Sequence, residues 1–153
     1  MALPPARSVT ARVRVLLIDD HALVREGLRA LLEGGDEGIE VVGEAATTDE
    51  GLEAALALTP DLILLDLSLP GRPAPDLIRA VRSALPKTRV VVLSAMLEER
   101  WVRETVAAGA SGYLLKQLTR RDLVEAIEGA LSGSLILHPE ARRLLPAERP
   151  GRR

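Results

Sequence analysis

Short continuous apolar runs alternate along the chain with stretches in which apolar residues recur every three to four positions. The runs are Val13–Ile18 (VRVLLI), Ile39–Ala45 (IEVVGEA), residues 62–65 (LILL), 90–93 (VVVL) and Gly112–Leu115 (GYLL). A run that is apolar at successive positions suits a strand buried on both faces of a parallel sheet. Between the runs, residues 21–33 place Leu23, Val24, Leu28, Leu31 and Leu32 at helical spacing, and Gly34, Gly35 and Gly38 end the segment. Residues 47–58 form a second helix, with Thr47 or Thr48 as N-cap and Leu52 and Leu56 inward. Residues 70–75 (PGRPAP) read as a turn-rich loop, and 76–85 as a helix stopped before Pro86. Residues 97–108 form a helix ended by Gly109. Thr119 caps a last helix with Asp122 in its first turn, Leu123, Ile127 and Leu131 inward, and Gly133 at its end.

Strand followed by helix, five times over, predicts an α/β fold: a doubly wound, flavodoxin-like (βα)5 parallel sheet with right-handed crossovers and strand order 2-1-3-4-5. Residues 1–11 read as a loose leader, 12–138 as one compact domain, and the Pro-containing, Arg-rich residues 139–153 as a linker or tail. Composition narrows the class. The 153 residues are 47% hydrophobic but only 1% aromatic, so Leu, Val, Ile and Ala must fill the core. There is no cysteine, which excludes a disulfide framework and thiolate metal sites. The formal net charge of −2 does not suggest a globally basic nucleic-acid binder. No apolar stretch approaches the roughly 20 residues of a membrane span, and the expectation is a soluble cytoplasmic protein without membrane contact.

In an open α/β sheet, ligands bind beyond the carboxyl ends of the strands at the switch point. Asp19 and Asp20 follow the first strand, Asp66 the third, Ser94 the fourth and Lys116 the fifth. Each alone has an ordinary role. An Asp at a strand end caps or turns, Ser94 caps the next helix, Lys116 is a solvated charge, and His21 starts a helix. Their joint occurrence at four strand ends points to a site. Three converging carboxylates favour a hard divalent cation such as Mg²⁺. An ammonium and a hydroxyl beside them suit phosphoryl oxygens. The set describes phosphoryl transfer to a carboxylate.

The segments LLIDDHALVREGL (16–28), LILLDLSLPG (62–71), VVVLSA (90–95) and GASGYLLK (109–116) resemble the receiver domain of bacterial response regulators, most closely its NarL/FixJ (LuxR-type) group. The resemblance implies that Asp66 is the phospho-acceptor. It implies that Asp20 binds Mg²⁺ directly, Asp19 directly or through water, and that Asp66 and the backbone carbonyl of Ser68 complete the metal set. Ser94 and Lys116 would bind phosphoryl oxygens, Tyr113 would report the state of Ser94, and the small Ala95 would leave access. Tyr113 is expected half in and half out, turning inward on phosphorylation. The implied function is a phosphorylation switch, not a turnover enzyme. It is fed by a sensor histidine kinase, pairs as a homodimer on activation, and controls transcription through a helix-turn-helix domain outside this sequence. Mixed charge on Arg100, Arg103 and Glu104, and on Arg121, Glu125 and Glu128, suits the pairing face.

The sequence departs from the family after Pro70-Gly71, where Arg72-Pro73-Ala74-Pro75 replaces a short segment ending in Gly; an Ala there at φ > 0 would be strained by about 1 kcal/mol. The alternative from another class is a haloacid-dehalogenase-type aspartyl phosphatase. Its second Asp, two residues after the nucleophile, is Ser68 here. A flavodoxin-like FMN binder would want a Gly- and hydroxyl-rich loop where this chain has Asp19 and Asp20.

Overall fold

A computed structural model describes residues 12–145. The leader expected at 1–11, and tail residues 146–153, lie outside the described residues. The elements are β1 Val13–Ile18, α1 Ala22–Glu33, β2 Ile39–Ala45, α2 Thr48–Leu58, β3 Leu62–Asp66, α3 Ala74–Ala84, β4 Arg89–Ser94, α4 Glu99–Ala108, β5 Gly112–Leu115, α5 Arg120–Leu131, β6 Ile136–Leu137 and α6 Pro139–Leu144. All strand pairings are parallel, in the order β2-β1-β3-β4-β5-β6. The expected 2-1-3-4-5 order is therefore present, and a sixth strand extends it.

The side-chain alternation of a strand explains why the core has two halves. Leu16, Ile18, Ile63, Leu65, Val90 and Val92 pack with Ala55 of α2, Leu77, Ile78 and Val81 of α3 and Val102 of α4. Val15, Leu17, Leu62, Leu64, Val91 and Leu93 face the other way, onto Leu32 of α1 and Leu123 and Ile127 of α5. Every residue of β3 is buried, because both faces of the central strand are covered. Full burial of each such aliphatic side chain stabilises by about 1.5–3 kcal/mol.

Local signals set most of the helix ends. The Thr47 hydroxyl accepts from Glu50 N at 3.1 Å, and Thr119 and Asp122 form a capping box at the start of α5. Gly109 closes α4 at φ 115. Helix α3 starts two residues earlier than expected. Pro75 occupies its first turn, where a missing N–H costs no helical bond. Ala74 is accordingly helical, and the positive φ of this loop falls on Gly71 (φ 104), so the strain expected for Ala74 does not arise. Leu56, read as inward, is 49% exposed, and Leu23, one of the residues at helical spacing in α1, is 78% exposed.

The largest correction lies beyond residue 135. The end of the expected domain carries an unexpected strand, Ile136–Leu137, and the expected linker opens with a helix, Pro139–Leu144. Ile136 N donates to Ser111 O at 2.9 Å and His138 N to Tyr113 O at 2.9 Å, adding β6 to the sheet. Pro139 opens α6, capped by the His138 ring, whose Nδ1 accepts from Glu140 N at 3.0 Å. Ala141 of α6 is fully buried, and Leu144 and Leu145 pack on the same core half as Trp101 and Val106 of α4. Thus α6 and β6 stand between α4 and α5, and the charges expected to form one pairing face are split. They also pair within their own helices: Arg100–Glu104 at 3.1 Å, Arg103–Glu99 at 3.0 Å and Arg121–Glu125 at 3.2 Å. Among the described residues, no helix is long and apolar enough to cross a membrane.

Candidate functional site: an acidic pocket at the carboxyl ends of the strands

The central position of β1 and β3 brings the sequence-distant aspartates together. Ile18 pairs with Leu65, so the next residues on each strand, Asp19 and Asp66, leave the sheet side by side. Both are 3% exposed, whereas Asp20 is exposed at the rim. Ligand atoms of Asp19, Asp20, His21 and Asp66 all lie within 4.8 Å of one another. On the far side, Lys116 N donates to Ser94 O at 2.8 Å at the end of the β4–β5 ladder. That bond aims the ammonium into the pocket, where Nζ stands 3.2 Å from Asp19 Oδ2 and 3.2 Å from Asp66 Oδ1. Burial works against the Lys116 charge. The Asp66 and Asp19 carboxylates, by charge and hydrogen bond, outweigh it and hold the ammonium above its usual range.

The hydrogen bonds around the two buried carboxylates are unequal. Asp19 Oδ1 accepts from His21 N at 2.8 Å and Oδ2 from Lys116. Asp66 Oδ1 accepts from Ser68 N at 3.3 Å, but Asp66 Oδ2 is buried with no hydrogen-bond partner among the described residues. A buried anionic oxygen without a donor is costly in a finished fold and is expected where a ligand or ion belongs. The donor set is hard carboxylate oxygen, which fits a small divalent cation.

Ser94 and Tyr113 meet away from the carboxylates, on one backbone carbonyl. Ser94 Oγ donates to Met96 O at 2.7 Å and accepts from Met96 N at 3.2 Å. Tyr113 OH also donates to Met96 O, at 3.3 Å. Tyr113 is fully buried, which corrects the expectation of a ring half in and half out: the apolar half-core around β4 and β5 encloses it. Burial pushes its phenol above the usual range; the Ser94 hydroxyl pulls the other way and the Glu98 charge adds to the rise. Ala95 is exposed at the mouth, beside a cavity of about 250 Å³ that Leu67, Ser68, Met96 and Trp101 also line. Ser68 is exposed on the β3–α3 loop next to Asp66.

The structure therefore brings Asp19, Asp20, Asp66 and Lys116 together, with Ser68 and Ser94 at the edge and Tyr113 behind Ser94. Sequence reasoning passed over two parts. His21, read as a helix-start residue, places Nδ1 3.0 Å from Asp20 Oδ1 and 3.3 Å from Asp19 Oδ1; its adjacency to the Asp pair was the available signal. The Met96 carbonyl that collects both hydroxyls is a backbone group and leaves no mark in a sequence.

The family described as response regulator receiver domain matches residues 15–128. The chain is 40% identical over 122 residues to the transcriptional regulatory protein MctR of Rhizobium johnstonii, covering 80% of this chain and 56% of the relative. It is 38% identical over 133 residues to the nitrate/nitrite response regulator protein NarL of Escherichia coli K12, covering 87% and 61%. The chain thus spans about three fifths of the length of these curated relatives. Among solved structures, a LuxR-family two-component response regulator from Aurantimonas sp. SI85-9A1 superposes with a TM-score of 0.80 at 34% identity, covering 87% of this chain and 94% of that one. The signal receiver domain of a putative NarL from Mycobacterium tuberculosis gives 0.75 at 41% identity, covering 80% and 98%. The haloacid-dehalogenase alternative finds no support in these comparisons.

Proposed function

Because the chain belongs to the response regulator receiver domain family, in its NarL/FixJ (LuxR-type) group, we propose that Asp66 is its phospho-acceptor. The observation that carries this reading is the buried, partnerless Asp66 Oδ2. Among the described residues it is the one carboxylate oxygen in the pocket that is shielded from water yet offered no proton donor. In the reaction, Oδ2 attacks the phosphorus of a phosphohistidine or an acyl phosphate. The new O–P bond forms as the bond to the imidazole nitrogen or the acyl oxygen breaks; the leaving group takes the electron pair of that bond, the imidazole nitrogen picking up a proton and the acyl oxygen departing as a carboxylate.

Asp19, Asp20, Asp66 and the Ser68 carbonyl would hold Mg²⁺. When bound, the ion neutralises the charge that builds between carboxylate and phosphoryl group. The remaining steps belong to the chain. Lys116 exchanges one carboxylate contact for a phosphoryl oxygen, keeping its charge throughout. Ser94 turns its hydroxyl from Met96 O to another phosphoryl oxygen. Ala95 leaves room for the donor. Once Ser94 turns, Met96 O keeps only the Tyr113 hydroxyl of the two, so the β4–α4 loop is pulled toward a Tyr113 that is already inside. This competition replaces the inward swing expected from sequence.

The phosphoryl donor in this reading is a sensor histidine kinase, and the chain acts as a switch with self-dephosphorylation only. In one solved structure similar to this chain, two RcsB dimers are bound to two parallel DNAs (TM-score 0.76, 26% identity). We carry the same role over: dimerisation on activation and control of transcription through a DNA-binding domain. The site is tested by incubating the protein with acetyl phosphate and Mg²⁺ and weighing it. The wild type gains one phosphoryl group and Asp66→Asn gains none; equal gain by the variant removes the assignment.

A further inference from the structure

Asp19 lies one residue past β1, and its backbone is tied on both sides. Asp19 N donates to Ala45 O of β2 at 3.0 Å. The Asp19 carbonyl accepts from Arg25 Nη1 of α1 at 2.5 Å. The same guanidinium donates through Nε to Glu44 Oε1 at 2.8 Å, and Glu44 is the residue before Ala45. The links close a ring from Asp19 through Arg25, Glu44 and Ala45 back to Asp19. Arg25 is well shielded for an arginine, with 18% of its side chain exposed. The carbonyl it holds belongs to the peptide joining Asp19 to Asp20. That peptide is planar, so fixing the carbonyl fixes the plane from which both side chains leave.

We propose that Arg25, braced by Glu44, is a positioning residue for the acidic pocket: it orients the Asp19–Asp20 peptide so that both carboxylates converge with Asp66 on one divalent cation. The proposal rests on the reading of the pocket given above. Glu44 and Glu33 together balance Arg25 and Arg29, so the effect is one of geometry and not of added positive charge. A lysine cannot substitute, because a single ammonium on a flexible stem lacks the planar fork that spans a carbonyl and a carboxylate at once. Arg29 supplies an internal comparison. It bonds the same Glu44 at 2.7 and 3.1 Å and Val41 O at 3.4 Å, and its Nη1 stands 3.6 Å from Glu33 Oε2, without reaching Asp19.

Mg²⁺ affinity by titration calorimetry, with thermal unfolding in the metal-free state, tests this on the full chain. Arg25→Met should weaken Mg²⁺ binding about tenfold, the scale of outer partners that orient metal ligands. Arg25→Lys should weaken it as well. Arg29→Met should stay within about twofold, as an exposed ion pair predicts, even if both Met variants melt at similarly lowered temperatures without metal. If Arg25→Met does not fold, Arg25→Lys against Arg29→Met carries the comparison. Equal affinities in the Arg25 and Arg29 variants, with wild type binding and Asp20→Asn not, overturn the role of Arg25 and leave the pocket standing. A wild type that binds no Mg²⁺ overturns the pocket itself.

Discussion

The two ends of the sheet use the same residue types to opposite effect. At the amino end, Asp61 accepts from Arg14 N at 2.8 Å and returns its own N–H to Arg14 O at 2.8 Å. Arg14 Nη1 donates to Thr59 O at 2.9 Å, Thr88 Oγ1 to Pro60 O at 2.7 Å, and Arg82 Nη1 to Thr88 O at 2.8 Å. Aspartate, threonine and arginine there close one another's valences across β1, β3 and β4. At the carboxyl end, Asp66 keeps one buried oxygen without a partner among the described residues and shares one ammonium with Asp19. What an aspartate does is thus decided by how many donors the surrounding chain offers it. A saturated aspartate is a pin; an undersupplied one is a place for something else, held at some cost in stability.

The contrast breaks most visibly at Lys116. In Lys116→Met the pocket loses the cation that faces the phosphoryl oxygens, and phosphoryl uptake from acetyl phosphate should slow about a hundredfold or more, as loss of an oxyanion donor does. The initial rate by mass spectrometry is the check; a slowing of less than about tenfold would mean that Lys116 serves only to hold the carboxylates apart. Thr88→Val is the counterpart at the other end. It removes the buried donor to Pro60 O and should cost about 1–3 kcal/mol in urea unfolding, with the rate of uptake unchanged. A third variant joins the two properties. Asp66→Asn, which cannot be phosphorylated, should be more stable than the wild type without metal, by on the order of 1 kcal/mol, because it removes a buried charge with an unsatisfied oxygen. Lower stability of that variant would show that Asp66 is as well served as Asp61.

The sheet and the pocket were legible in the sequence for the same reason. Strands covered on both faces read as unbroken apolar runs, so Leu62–Leu65 announces β3 and the first polar residue after it, Asp66, marks the strand end. What was not legible lay where the period is too short or the partner is backbone. β6 is two residues, Ile136 and Leu137, and no periodicity exists over two positions. Pro139 was taken as a linker residue, although Pro opens a helix as readily as it breaks one, and the His138 cap that settles the matter is a side-chain contact. Arg25 is one of four charged residues on α1, with Glu26, Arg29 and Glu33, and only the fold shows that the Asp19 carbonyl lies within its reach. Arg72-Pro73-Ala74-Pro75 was read as a strained loop because its glycine requirement was assigned to Ala74; the chain meets it at Gly71.

The smallest expected effect concerns Tyr113, whose buried hydroxyl donates to a backbone carbonyl as that of Thr88 does at the amino end. The chain contains one tyrosine, so tyrosinate absorbance follows this residue alone. Burial holds the phenol of the folded protein above its ordinary value of 10.0, which means that the folded state binds this proton more tightly than the unfolded chain does. The associated stability is fully present below about pH 10 and is lost as pH rises through the folded-state value. The native tyrosine should therefore ionise above pH 10.0, and the stability difference between wild type and Tyr113→Phe should shrink over the same alkaline range. At neutral pH the substitution removes only the donation to Met96 O and should cost about 1 kcal/mol. Because Ser94 shares that carbonyl, the phenylalanine variant should also bind beryllofluoride with a smaller shift of the α4 amide signals while still binding it. An unshifted tyrosine midpoint in the folded protein would place the hydroxyl in water and detach Tyr113 from Met96 and from the switch.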